Sequence, residues 1–170
     1  MIRCASAVLL TLLAGCAGLE VKTDHDREVD FAAYETFVLA PPPDESAELP
    51  NYRASLGRKM LERIATALEA SGLRQVEGDD YDLFVNMNIG SKSRTGIQGY
   101  GSDRRFPAGR QTAYEAHYVI GRLVVDLFDR RQKKVVWHGY ASTDIDDYTD
   151  VEHTALDAVS RIMARYPPGN

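Results

Sequence analysis

The chain has 170 residues, with 20 Lys and Arg against 25 Asp and Glu, 44% apolar residues and 26% charged ones. These proportions fit one folded domain and exclude a disordered, fibrous or many-times membrane-spanning chain. The formal charge of −5 argues against a general nucleic-acid binder, whose affinity rests on releasing counterions from a basic surface.

Residues 1–15 read as a secretory signal. Arg3 supplies a positive start, Ala5 to Leu13 an apolar run, and Leu13-Ala14-Gly15-Cys16 a close of small residues. A nine-residue stretch at 1.5 Å per residue reaches only about 14 Å, roughly half the hydrocarbon thickness, so a spanning helix is the poorer reading. Leu13-Ala14-Gly15-Cys16 resembles a bacterial lipobox. That resemblance implies cleavage before Cys16, a diacylglycerol thioether on its sulfur and usually a third acyl chain on its amine. Acyl burial contributes about 0.8 kcal/mol per CH₂, and two chains anchor a protein without any spanning element. Ala17, not Asp, follows the cysteine, which in lipoproteins of this kind favours the outer membrane. Cys4 would leave with the signal and Cys16 would be acylated, leaving no thiol for a disulfide or a metal. Loss of Arg3 moves the formal charge from −5 to −6.

Residues 16–20 form the acylated cysteine and a short tether, and 21–168 a single domain. Glu20 to Asp26 alternates and Tyr34 to Ala40 is aromatic and β-branched, predicting two strands joined at Asp30-Phe31-Ala32-Ala33. Pro41-Pro42-Pro43 ends the second, and Asp44 to Pro50 is a polar linker. Asn51 is placed to cap a helix from Tyr52 to Ser71, with Leu56, Met60, Ile64 and Leu68 as its apolar stripe, Leu61 and Ala65 widening it, and Gly72 stopping it.

Leu83, Val85, Met87 and Ile89 alternate with Phe84, Asn86 and Asn88 as in a half-buried strand. Residues 90–111 read as a Gly-rich basic loop: five glycines, and Lys92, Arg94, Arg104, Arg105 and Arg110 against the single acid Asp103. Loops of this length are either functional or plain solvated linkers. Tyr114 to Phe128 and Lys134 to Ser142 predict two strands joined by a turn at Asp129 to Lys133, with Trp137 as a core anchor. Thr149 and Glu152 stand in capping-box spacing before an apolar helical face of Ala155, Leu156, Val159, Ile162, Met163 and Tyr166, which Pro167-Pro168 ends. The order predicts an α+β two-layer sandwich: a largely antiparallel sheet of about five strands with two helices packed on one face.

Asp24-His25-Asp26, Val29-Asp30-Phe31-Ala32-Ala33-Tyr34-Glu35-Thr36-Phe37, Asp80-Tyr81-Asp82-Leu83, Gly121-Arg122-Leu123-Val124-Val125-Asp126-Leu127, Val136-Trp137-His138-Gly139 and Tyr166-Pro167-Pro168, in this order and spacing, resemble bacterial lipoproteins carrying the domain of unknown function 4136. The resemblance covers nearly the whole mature chain. It implies an envelope lipoprotein and brings no catalytic residues with it.

His25, His117, His138 and His153 include no pair at helical metal-binding spacing, and no nucleophile elbow or P-loop is present. Gly99-Tyr100-Gly101 lacks the third glycine of a dinucleotide fingerprint, since Arg104 takes that place. Asp144, Asp146, Asp147 and Asp150 could offer oxygens to calcium, but an EF-hand would need its glycine at Thr149 and its glutamate at Ala155; negative charge ahead of a helix is the simpler reading. Asp24 and Asp26 read as a solvated strand edge.

The expectation is therefore a non-enzymatic lipoprotein on the periplasmic face of the outer membrane, without cofactor or metal. It would bind or brace an envelope lipid, lipopolysaccharide, wall polymer or protein through Lys92, Arg94, Arg104, Arg105 and Arg110. Two alternatives stand beside it. One is a hydrolase or metal-dependent enzyme using the clustered aspartates with His117 or His138; the other is assembly through an unpaired strand edge.

Overall fold

The computed structural model describes residues 18–41, 50–102, 111–146 and 149–168, of which 50–54, 94–102 and 111–118 are described by their backbone alone. In chain order come β1 (Glu20–His25), a 3-10 turn (Phe31–Ala33), β2 (Thr36–Leu39), α1 (Pro50–Ala70), β3 (Arg74–Gln75), β4 (Leu83–Ser102), β5 (Gln111–Asp129), β6 (Lys134–Ile145) and α2 (Val151–Met163). They form one sheet in the order β1-β6-β5-β4-β2-β3.

The α+β class stands, and the structure refines the sheet in two respects. The sheet has six strands, because β3 adds two residues, too few for any period to show. It is also mixed: β1/β6, β6/β5 and β5/β4 are antiparallel, whereas β2 runs parallel to both β3 and β4. The parallel part follows from α1, a crossover that carries the chain back before the next strand starts.

The α1 stripe is buried as its spacing requires: Leu56, Met60, Leu61, Ile64, Ala65 and Leu68. Gly72 adopts φ 102°, and the Gly72 and Leu73 N–H groups donate to the Glu69 and Leu68 carbonyls at 3.0 and 3.2 Å. This is a Schellman stop, which needs a left-handed residue at that position. In α2 the cap is Asp150, not Thr149; its carboxylate accepts from the His153 N–H at 3.0 Å, and Glu152 instead pairs with Lys59 of α1 at 2.6 Å.

Both helices lie on the sheet face formed by Leu83, Val85, Met87, Leu123, Val125, Leu127, Trp137 and Ala141. A register shift between Leu127 and Phe128 buries two successive residues, Val136 and Trp137, where strict alternation would bury one. Gly139 is required beneath α2, since a Cβ there would stand 2.3 Å from Ile162 Cγ2 and 2.7 Å from the Trp137 ring.

The basic stretch expected as a loop is strand as far as Ser102. β4 and β5 pair continuously from Leu83↔Asp129 to Ser102↔Gln111, with one bulge between Ile97 and Tyr100. Glycine disfavours strands locally, but twenty residues of cross-strand bonding override that preference. β6 ends at Ile145, opposite Val119, and β2 ends at Leu39, opposite Val85. Beyond Ser93 and Val119 the β4–β5 hairpin therefore continues as a two-stranded arm, about 30 Å long for the nine β4 residues 94–102.

Candidate functional site

The two ends of the sheet differ in chemistry. Where β4 starts and β5 ends, Asp129 is buried, 4% exposed. Its carboxylate accepts from the Tyr34 hydroxyl at 2.6 Å, the Arg131 and Gln132 N–H groups at 2.6 and 2.7 Å, and the Gln132 side chain at 2.9 Å. Beside it, Asp82 accepts from the Glu35 and Thr36 N–H groups at 3.0 and 3.1 Å and from the Thr36 hydroxyl at 3.1 Å. Burial alone would raise both carboxyls, but these donors outweigh it and hold them below the usual range. Burial, reinforced by Asp129, pushes the Tyr34 phenol up, so it serves as a donor and not as a nucleophile. The motif residues Tyr34, Thr36, Asp82 and Asp129 thus form a clamp that ties the 3-10 turn and β2 to the β5–β6 turn.

At the opposite end, Glu20, Ser142, Arg122 and Gly90 form one row across β1, β6, β5 and β4. The chain enters β1, the arm leaves the sheet and both helices begin here. Between the sheet and the helix N-termini lies a cleft of about 90 Å³ that opens to solvent, with Leu19, Ile89, Leu123, Ile145, Val151 and Ala155 among its lining. It stays open because Gly121, Ala141, Ala155 and Ala158 present little bulk from both layers. Ile89 and Val151, 51% and 38% exposed, stand at this cleft; they are two of three large hydrophobics exposed among the described residues.

Of the residues singled out in the sequence, Lys92 sits exposed on β4 opposite Ile120, at the root of the arm. Arg94 follows on the arm itself, opposite Tyr118, and is described by its backbone alone. Cys16, Arg104, Arg105 and Arg110 lie outside the described residues. The exposed Arg122, on β5 opposite Gly90, adds a cation at this end that the sequence reading passed over. The cleft was also missed, because its walls come from segments far apart in the chain and no motif spans them.

Two aspartates of the calcium reading have local partners: Asp150 caps α2, and Asp146 accepts from the Thr149 hydroxyl at 2.7 Å. Asp147 lies outside the described residues. Asp26 pairs with Lys134 across the β1–β6 edge, and that hydrogen bond lowers the carboxyl. On the helix-free face His138 Nδ1 stands 2.6 Å from Asp126 Oδ1; His117 is described by its backbone alone. Among the described residues no three His, Cys, Asp or Glu side chains are grouped to hold a metal. No helix among them is long and apolar enough to cross a membrane.

Similar folds occur in solved structures. A PDZ domain protein from Parabacteroides distasonis matches with TM-score 0.58 at 17% identity, over 89% of this chain but only 37% of that longer one. PelC from Paraburkholderia phytofirmans, a dodecamer in its crystals, matches with TM-score 0.50 at 11% identity, over 86% of this chain and 95% of its own. Lipoprotein GNA1162 from Neisseria meningitidis matches with TM-score 0.43 at 14% identity, over 77% and 96%. At these identities the likeness is one of fold. No curated protein matches the sequence. The family model described as Domain of unknown function (DUF4136) matches residues 21–168.

Proposed function

Because the chain belongs to the DUF4136 family, and because its first sixteen residues read as a lipoprotein signal, we propose that it is a non-enzymatic lipoprotein of the bacterial envelope. Acyl groups on Cys16 hold it to the periplasmic face of the outer membrane, and the basic arm binds or braces an anionic envelope component such as lipid phosphate or lipopolysaccharide. The observation that carries this reading is the shared end of the sheet: the strand leading back to Cys16, Lys92, Arg122 and the root of the arm all lie there. An anchor at that end brings the arm to the headgroups, where each cation contributes about 1 kcal/mol near an anionic surface.

The test is co-sedimentation of a chain beginning at Ala17 with vesicles of anionic lipid, compared with zwitterionic vesicles. Binding should weaken with salt and fall when Lys92, Arg94, Arg104, Arg105 and Arg110 are replaced by Gln. Equal sedimentation of the replaced and native chains removes the arm from the account.

A second reading, assembly through strand edges, is favoured by one observation. β4 beyond Val85 and β5 from Gln111 to Tyr118 each have a side with no neighbouring strand among the described residues, which leaves main-chain groups open to another copy. PelC, whose fold is similar, is a dodecamer in its crystals, which supports the reading that such a fold can assemble into many copies. The mass of the detergent-extracted particle decides between one copy and many.

A further inference from the structure

We propose that the apolar cleft at the arm end seats one fatty acyl chain, that of the Cys16 anchor. The inference rests on the acylation reading above and adds a site to it. Three observations point to this occupant. The lining is predominantly apolar, with Leu19, Ile89, Leu123, Ile145, Val151 and Ala155 among its residues, which suits a hydrocarbon and offers little to a sugar or a phosphate. The volume of about 90 Å³, open to solvent, takes a few methylenes of a hydrocarbon chain and is too narrow for a bulkier group. Leu19 is part of the wall and follows Cys16 by three residues, so the Cα atoms of the two can be no more than about 11 Å apart.

The energetics fix what such a seat does. Moving a chain from water into the cleft is favourable by about 0.8 kcal/mol per CH₂, whereas moving it from a bilayer is close to neutral. The cleft therefore shelters the chain whenever the protein is away from a membrane. On a membrane it holds this end of the sheet, and with it the arm root, against the lipid. Lys92 and Arg122, both exposed near Ile89 and Gly121 in the strands, then lie at headgroup level.

The experiment uses cis-parinaric acid, a fluorescent fatty acid, with two forms of the protein in detergent-free buffer: the acylated chain and a chain beginning at Ala17, which keeps every described element. The Ala17 chain should bind one probe per molecule, and the acylated chain, its cleft already filled, should bind none. Val151→Asp should weaken probe binding to the Ala17 chain by about tenfold or more, because it sets a carboxylate at the cleft. Val151 is exposed at the first position of α2, where a negative charge favours the helix, so the fold survives the change.

The proposal is overturned if the Ala17 chain shows no saturable binding. Equal binding by both forms overturns it as well, since the anchor would then leave the cleft empty. Mass spectrometry of the native protein separates this failure from that of the anchor: an unmodified Cys16 ends the acylation reading, while probe binding by the Ala17 chain still reports on the cleft itself.

Discussion

Where β4 begins, Asp129 and Asp82 gather seven donors from Tyr34, Glu35, Thr36, Arg131 and Gln132 at 2.6 to 3.1 Å. Farther along the same strand, Ile89 is 51% exposed beside an apolar cleft. At the first end each of these donors is answered by a carboxylate of the same chain. The second has apolar surface that its own described residues do not cover. Polar contacts are concentrated at one end and open apolar surface at the other, a division expected of a rigid scaffold that carries a site.

The sharpest way to break this contrast is Asp129→Ala, which strands the Tyr34 hydroxyl and two N–H groups. Stability measured by urea unfolding should fall by about 3 kcal/mol. Gly139→Ala tests the filled core. The added Cβ meets Ile162 at 2.3 Å and the rigid Trp137 ring at 2.7 Å, and the loss should be about 2 kcal/mol, read from the same curves.

Acid tests the clamp without mutation. The carboxyls of Asp82 and Asp129 are lowered in the fold, so their contribution is complete above the unfolded value near pH 4 and is lost as pH falls below it. The urea midpoint should hold from pH 7 to about 5 and drop by pH 3, with a smaller drop in Asp129→Asn. The least effect is expected at the cleft end. In Gly121→Ala the new Cβ meets Ile145 Cδ1 at 2.5 Å, the tip of a flexible side chain beside open space. The cost should stay below about 1 kcal/mol; a loss equal to that of Gly139→Ala would show that the two ends are packed alike.

What the sequence disclosed follows the same division. The α1 stripe from Leu56 to Leu68 and the alternation from Leu83 to Met87 were legible because burial there follows one period. The turn at Asp129 was legible as a turn, but not as a hub, since its partner Tyr34 lies 95 residues away. Residues 90–102 were misread because Gly96, Gly99 and Gly101 weaken local strand preference, and only pairing with β5 reveals the arm. The cleft was illegible, since it exists through small residues on separate elements, and no sequence pattern records a missing volume.

The position of β1 has a consequence for the order of assembly. Among the described strands it pairs only with β6, and Asp26, just beyond it, reaches Lys134 across 108 residues; Arg165, after α2, donates to the Val21 carbonyl from 144 residues away. Contacts so distant form late, because a long loop must close before they offer any return. The strand made first during synthesis therefore waits for the last, and the edge nearest Cys16 is completed only when the C-terminus has arrived.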